Sequence, residues 1–134
     1  MRKLIAFLAV VIAGCSMSAD TKMAEAAVTR FHAMLDAAEF GSIYAESADE
    51  LKDVTTQEKL VAFLGAVHKK LGVTKSSNRQ SWNINYHTSG TFITLTYATV
   101  YEGGDASEQF VYRLRGADAK LGGYHINSEA LIMN

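Results

Sequence analysis

The amino-acid sequence predicts an α+β fold, in which N-terminal helices pack on one face of a four-stranded antiparallel sheet. Apolar residues recur every three or four positions up to about residue 71, which is the spacing of one helix face. Beyond Gly72 they alternate with polar residues in four short runs separated by glycine-containing turns, the pattern of a β-meander. Helices followed by a run of strands are typical of the α+β class. A length of 134 residues fits one domain.

The first helix is predicted to run from Met23 to about Ala38, with Asp20 or Thr21 as its N-cap. Charged residues between its apolar positions are expected on the solvent side. The apolar positions at helical spacing are Met23, Ala27, Phe31, Met34 or Leu35, and Ala38.

The segment after this helix is predicted to be short and mostly irregular. Gly41 is expected to end or bend the helix, because glycine weakens a helix interior. A helical turn is expected at 42–46, with Ile43 and Tyr44 facing inward. Residues 47–54 are more polar and are predicted to be irregular.

The second long helix is predicted at 56–71. Thr55 and Glu58 have the spacing of a capping box, with Thr55 as N-cap and Glu58 at N3. The pair Lys69-Lys70 suits the carbonyl end of the helix dipole, and Gly72 suits the position after the helix. Its core-facing residues are Leu60, Phe63, Leu64, Val67 and Leu71.

The four strands are predicted from their alternation of apolar and polar residues. The turns between them are predicted at Ser89-Gly90, Gly103-Gly104-Asp105 and Gly116-Ala117-Asp118. The residues expected on the core side are Trp82, Ile84 and Tyr86, then Ile93, Leu95 and Tyr97, then Phe110, Tyr112 and Leu114, and finally Tyr124 and Ile126.

The composition excludes several classes of function. The 13 basic and 14 acidic side chains give a net charge of −1, so no general electrostatic attraction to nucleic acid is expected. Hydrophobic residues make up 49%, enough for a buried core. The single cysteine, Cys15, cannot form an internal disulfide or a multi-cysteine zinc site.

The first residues have the pattern of a secretion signal. Met1-Arg2-Lys3 is positively charged, and residues 4–13 form an apolar run that is too short to span a bilayer as a mature anchor. The run ends in Ala13-Gly14-Cys15, which resembles the lipobox of bacterial lipoproteins. The resemblance implies diacylglycerol transfer to the Cys15 thiol, cleavage before Cys15 and acylation by chains such as palmitate.

The resemblance divides the chain into a signal peptide at 1–14, a lipidated tether at 15–21 and one domain at 22–134. Loss of Arg2 and Lys3 would leave 11 basic and 14 acidic side chains, a net charge of −3. Buried acyl chains supply membrane affinity instead. Ser16, rather than Asp, follows the cysteine, which by analogy with enterobacterial sorting implies delivery to the periplasmic face of the outer membrane.

Several sequence blocks resemble a group of bacterial lipoproteins of unknown function, which are similar to the nuclear-transport-factor-2-like (cystatin-like) superfamily. The likeness covers most of residues 24–132. It implies a curved sheet that forms a cone with its helices, and it transfers no catalytic residue. The blocks are Phe40-x-x-Ile43-Tyr44, Thr56-x-Glu58, Lys70-Leu71-Gly72, Ser81-Trp82-Asn83-x-Asn85-Tyr86, Thr94-Leu95-Thr96-Tyr97, Glu108-Gln109-Phe110 and Gly123-Tyr124-x-Ile126-Asn127-Ser128.

A row of tyrosines is predicted on the apolar side of the sheet. Such hydroxyls on an apolar wall are able to line a small-molecule pocket, although tyrosines also fill cores. The candidate pocket residues are Tyr86, Tyr97, Tyr112 and Tyr124, and Tyr101 shares their parity.

Catalytic and metal-binding residues are harder to find. An isomerase-like site needs a carboxylate base in an apolar pocket, and none of Asp36, Glu102 and Glu129 is expected to face the tyrosines. The four histidines lack metal-ligand spacing on a helix, so no metal or cofactor is predicted. They are His32 and His68 on helices and His87 and His125 on strands, where a general acid or base role is the alternative to a surface position.

These observations lead to two hypotheses. The first is a non-catalytic, lipid-anchored envelope protein that binds a protein partner or ligand and contacts the membrane through its lipid. The second is a small-molecule pocket protein or an isomerase- or dehydratase-like enzyme that uses the tyrosine side of the sheet. A hollow sheet face that holds a buried carboxylate or histidine would favour the second hypothesis.

Overall fold

A computed structural model describes residues 15–133, so the predicted signal peptide at 1–14 lies outside the described residues. Within this range no helix is both long and apolar enough to cross a membrane. The elements in chain order are α1 (Cys15–Asp36), α2 (Phe40–Ala45), α3 (Asp49–Val54), α4 (Gln57–Leu71), β1 (Thr74–His87), β2 (Gly90–Tyr101), β3 (Gly104–Arg115), β4 (Asp118–Asn127) and α5 (Glu129–Ile132).

The four strands form one antiparallel meander with the order β1-β2-β3-β4. Tight turns join neighbouring strands, because each connection is only two residues long. Gly122 is an extra residue in β4, where the pairing with β3 shifts after Val111. The N-terminal helices cover one face of this open sheet, which confirms the predicted α+β fold and is consistent with a cone.

The core lies between the helices and the inner face of the sheet. Phe31 and Leu35 of α1 and Leu64 of α4 are buried against Leu95 and Phe110 of the central strands. The helices contribute apolar residues at three- and four-residue steps, and the strands contribute every second residue. The apolar residues at helical spacing and those at strand spacing are therefore buried in one core.

The first helix begins eight residues before the predicted Met23 and ends before the predicted Ala38. Residues 15–22 contain no proline or glycine, so nothing in the chain stops the helix from extending back to Cys15. The helix ends at Asp36, and Ala38 takes a positive φ of 59°. The expectation that Gly41 ends this helix is wrong, since Gly41 lies inside α2.

Two other local predictions need correction. The stretch 47–54 is not irregular, because Leu51 is buried in the core and Asp49–Val54 forms α3 around it. The cap of α4 is Thr56 rather than Thr55: the Thr56 hydroxyl accepts a hydrogen bond from the backbone N–H of Lys59 at 3.2 Å. Lys59 therefore occupies N3, and the predicted capping box does not form.

Gly72 ends α4, as predicted, and its backbone explains why glycine is needed. Its φ of 74° and ψ of −155° belong to a region that is open essentially only to glycine. A Cβ at this position would come within 2.6 Å of the Glu102 carboxylate. The position therefore combines a backbone restriction with a steric one.

We expect Gly72→Ala to lower the free energy of unfolding by about 2–3 kcal/mol, since both restrictions must be overcome. Gly116→Ala is the matched control, because Gly116 also has a positive φ of 59° but open space around its Cβ position. The control should cost only about 1 kcal/mol. Urea denaturation of both variants measures the difference, and equal losses would contradict the steric part of this account.

Candidate functional site

The structure places the tyrosines on the helix-facing side of the sheet. Tyr97, Tyr101 and Tyr112 are buried there, and Tyr124 is partly buried beside them. Tyr86 shares the same strand parity but lies beyond the helices, with 71% of its surface exposed. Four of these five tyrosines therefore line one region of the core, and Tyr86 stands apart from it.

Glu108 of β3 lies in the middle of this region, with 0% of its surface exposed. Its Oε1 atom is 2.8 Å from His32 Nε2 and 2.6 Å from Thr99 Oγ1. Its Oε2 atom accepts hydrogen bonds from the Tyr101 hydroxyl at 2.6 Å and the Tyr124 hydroxyl at 2.5 Å. We call these five residues the Glu108 network.

Simple alternation along the chain places each member of the network. Glu108 is two residues before Phe110 on β3, so its side chain points to the same inner face as the buried phenylalanine. Thr99 and Tyr101 are alternate residues on β2 and have the same orientation. His32 follows Phe31 on α1 and lies on the edge of the apolar stripe of the helix. The network thus joins α1 to three strands.

Hydrogen bonding sets the charge state of the carboxyl group. Burial alone would raise the pKa of Glu108, because an apolar interior disfavours the charged form. The hydrogen bond from His32 and its electrostatic attraction, with hydrogen bonds from Thr99 and Tyr101, outweigh burial and hold the pKa of Glu108 below its usual 4.5. Glu108 is therefore a carboxylate at neutral pH.

The hydroxyl groups remain protonated donors. Burial, followed by the nearby carboxylate, raises the pKa of Tyr101 and of Tyr124 above the usual 10.0 of tyrosine. The Thr99 hydroxyl has one proton, which it donates to Glu108, so the Ser77 hydroxyl must donate to Thr99 across their 2.8 Å contact. An ionised carboxylate only accepts, so His32 carries a proton on Nε2.

The carboxylate has no lone pair left for a substrate. Two oxygens offer about four acceptor positions, and four donors occupy them. A general base needs a free position within hydrogen-bond reach of the proton that it removes. Glu108 also touches no solvent, so no water-sized space adjoins it. In this conformation the network holds the structure together and does not offer a base to a ligand.

Aromatic packing fills the space that a pocket on this face would need. The ring of Phe110 lies 5.0 Å from that of Phe31, 5.8 Å from that of Tyr97 and 5.2 Å from that of Tyr124, measured between centroids. Such edge and tilted contacts are typical of a closed core. The inner face is packed around Phe110, and Trp82, which pairs with the buried Leu95, lies at its margin with 36% of its surface exposed.

The carboxylates considered from the sequence lie elsewhere, as expected. Asp36 accepts from the backbone N–H and hydroxyl of Thr74, both at 3.0 Å, and Glu102 accepts from the N–H of Val73. Glu129 is exposed in the first turn of α5. None of them is hydrogen-bonded to a tyrosine, whereas Glu108, which shares the strand parity of Phe110 and is not a candidate from the sequence, accepts from two of them.

The histidines do not converge. His32 is buried in the network, and the His68 ring packs edge-on to Phe40 with a centroid separation of 5.9 Å. His87 and His125 are exposed on their strands. Across residues 15–133 no group of three or more His, Cys, Asp or Glu side chains is arranged to hold a metal ion.

An open apolar groove lies on the side of the domain, between α3, α4 and the edge strand β4. We call it the β4 groove, and its volume is about 350 Å³. Two exposed apolar side chains border it, Val54 at 81% and Phe63 at 44% of their full surface. Its lining residues are Leu51, Val54, Thr55, Lys59, Leu60, Phe63, Gly122, Gly123, Tyr124 and His125.

No protein-family model and no curated protein matches this chain.

We expect Glu108→Gln to lower the free energy of unfolding by about 3–5 kcal/mol, because an amide cannot accept four hydrogen bonds and leaves buried donors unpaired. Thr99→Val is the milder comparison, since it removes one donor at nearly constant volume and should cost about 1–3 kcal/mol. Chemical denaturation at neutral pH measures both losses. Equal and small losses would show that the network does not support the fold.

The network also predicts acid sensitivity. The folded-state pKa of Glu108 lies below its unfolded value, so the unfolded state binds the proton first as the pH falls. The stabilising contribution is complete above about pH 4.5 and is lost as the pH drops through the folded-state pKa. Denaturation over this acid range should show a falling stability in the wild type and in Thr99→Val, and a flatter profile in Glu108→Gln. A wild-type profile as flat as that of Glu108→Gln would contradict the assignment.

Proposed function

We propose that this chain is a non-catalytic, lipid-anchored protein of a bacterial cell envelope, and that its domain binds a protein partner in the β4 groove. The non-catalytic part is supported by the Glu108 network. The only carboxylate among the described residues that is hydrogen-bonded to these tyrosines is sealed from solvent, and donors occupy all its acceptor positions. An isomerase or dehydratase would need that carboxylate to reach its substrate.

The binding part is carried by one observation, the exposed apolar lining of the β4 groove. Phe63 and Val54 keep apolar surface in water, although other side chains of α3 and α4 are buried in the core. Removing such surface from water stabilises a complex by about 25 cal/mol for each Å² that is covered. The polar groups of Thr55, Lys59 and His125 at the groove can fix the orientation of a bound segment.

The position of the groove favours an extended protein segment as the occupant. β4 is an edge strand of the sheet, and the groove follows it from Gly122 to His125. An edge strand offers main-chain donors and acceptors to an added strand, while adjacent pockets take alternate side chains. Gly122 and Gly123 leave this part of the edge without bulky side chains. A segment with apolar side chains facing Phe63 and Val54 suits this geometry.

The anchoring part of the proposal is supported by the lipobox at Ala13-Gly14-Cys15 and by the positively charged start of the chain. Acyl chains on Cys15 would hold the domain at the periplasmic face of the outer membrane. A partner at this membrane surface would then be met at high effective concentration.

Photo-crosslinking in the producing bacterium tests the binding site. A photoreactive phenylalanine analogue at position 63 should give one discrete protein adduct, and the same analogue at the exposed Lys69 position on α4 is the matched control. Val54→Asp should remove the adduct from position 63, because covering the new carboxylate with an apolar segment would cost its solvation. Adducts that are the same at both positions, or that persist with Val54→Asp, would contradict a partner in the β4 groove.

A further inference from the structure

The first helix runs antiparallel to β1, and two contacts fix its direction. Near the end of α1, Asp36 accepts a hydrogen bond at 3.0 Å from the backbone N–H of Thr74, the first residue of β1. Arg79, further along β1, forms an ion pair with Glu25, which lies earlier in α1. The eleven helix residues and the five strand residues between these contacts each span roughly 16 Å, so one antiparallel arrangement satisfies both.

The same arrangement locates the beginning of α1. The ten residues from Glu25 back to Cys15 add about 15 Å, which corresponds to about four or five strand residues beyond Arg79. Cys15 therefore lies toward the end of the domain that carries the β1–β2 turn. Because α1 is one continuous helix from Cys15, no coil separates the proposed lipid attachment site from the domain. The lipid would fix which end of the domain meets the bilayer.

That end of the domain exposes aromatic side chains. Trp82, Ile84 and Tyr86 point to the same side of β1, because they pair with Leu95, Ile93 and Thr91 across the ladder. Trp82 is 36% exposed, and Ile84 is partly buried. Tyr86 is the most exposed of the three. Tryptophan and tyrosine favour the interface between lipid headgroups and acyl chains, because each has an apolar body and a polar group.

The charge distribution at this end suits an anionic surface. Residues 74–101, which include the β1–β2 turn at this end, contain no Asp or Glu, although the chain has 14 of them. Beside the β1–β2 turn lies a cleft of about 230 Å³, which we call the basic cleft. Its charged lining residues are Lys52, Arg113, Arg115 and Lys120, with Asp49 and Asp118.

The basic cleft and the β1–β2 turn lie at the same end of the sheet and are linked by one side chain. Arg113 donates to the backbone carbonyl of Ser89 in the turn at 2.8 Å and pairs with Glu50 of α3 at 2.8 Å. Arg115 and Lys120 form no ion pair among the described residues, although the charge of Lys120 also acts on Glu46. The aromatic residues and these cations therefore belong to the same end of the molecule.

We propose that this end, formed by the aromatic side of β1 and by the basic cleft, lies directly on the bilayer that holds the lipid. Trp82 and Tyr86 enter the interfacial layer, and the basic cleft contacts the anionic headgroups of phospholipids. Each cation near an anionic membrane surface contributes favourably to its attraction. This inference rests on the proposed lipidation of Cys15. It adds a fixed orientation, in which the basic cleft and the neighbouring β4 groove are lined by different residues of α3 and β4.

Trp82 is the only tryptophan, so its fluorescence reports this contact without a label. The mature acylated chain is reconstituted in vesicles of phosphatidylcholine, with or without phosphatidylglycerol, and part of the lipid carries brominated acyl chains. We expect Trp82 emission to shift to shorter wavelength and to be quenched by the brominated lipid, more strongly when phosphatidylglycerol is present. An emission maximum and intensity that brominated lipid leaves unchanged would overturn the proposal.

Two variants test the role of charge. Arg115→Glu with Lys120→Glu should remove the extra quenching due to phosphatidylglycerol, whereas Lys69→Glu, an exposed reversal near the far end of α4, should leave it unchanged. Loss of the extra quenching in both variants, or in neither, would overturn the assignment of the basic cleft.

Mass spectrometry of the mature chain measures the acylation of Cys15 separately. An unmodified cysteine would refute the proposed anchor, whereas an acylated chain with unquenched Trp82 would refute only the orientation.

Discussion

One buried carboxylate ties the helical layer of this protein to its sheet. Glu108 would be costly to bury alone, since an unpaired charge in an apolar interior is worth several kcal/mol of lost solvation. Donors from α1, β2 and β4 offset that cost by filling each acceptor position. The geometry is demanding, because His32 meets Glu108 only if α1 crosses the sheet at one position. The network therefore selects a single packing of helix on sheet from the many that apolar contacts alone would allow.

This constraint also separates the structural part of the molecule from its exposed surfaces. A face that is packed around Phe110 and closed over Glu108 leaves little room for chemistry, although its residue types resemble those of an acid–base site. The surfaces that we propose as contacts for other molecules then lie at the margins. The β4 groove offers apolar surface beside an edge strand, and the end with the β1–β2 turn combines exposed aromatic rings with cations. A membrane contact and a partner contact at these margins, as proposed, would leave the closed core undisturbed.

Periodicity predicts most of this fold, because the helices and strands follow the 3.6- and two-residue repeats of their buried faces. It predicts less well where a single residue decides the outcome. α3 forms because Leu51 reaches the core, and α1 extends to Cys15 because no proline or glycine stops it. Neither feature follows from the spacing of apolar residues. The buried position of Glu108 is hard to predict for a different reason. Its parity with Phe110 was visible in the sequence, but a charged residue is normally expected outside, and its partners come from positions 32, 99, 101 and 124, which only the folded chain brings together.

Nuclear magnetic resonance spectroscopy can show whether Glu108 is buried as an ionised, fully hydrogen-bonded carboxylate. A pH titration that follows the side-chain carboxyl carbon of Glu108, together with proton spectra of the His32 Nε2–H and the Tyr101 and Tyr124 hydroxyls, reports both charge and hydrogen bonding. We expect a carboxyl carbon that stays in its ionised position at neutral pH and down to below about 4.5, with slowly exchanging, strongly shifted donor protons. A carboxyl group that is protonated at neutral pH, or donor protons that exchange freely with water, would contradict this charge state and this network.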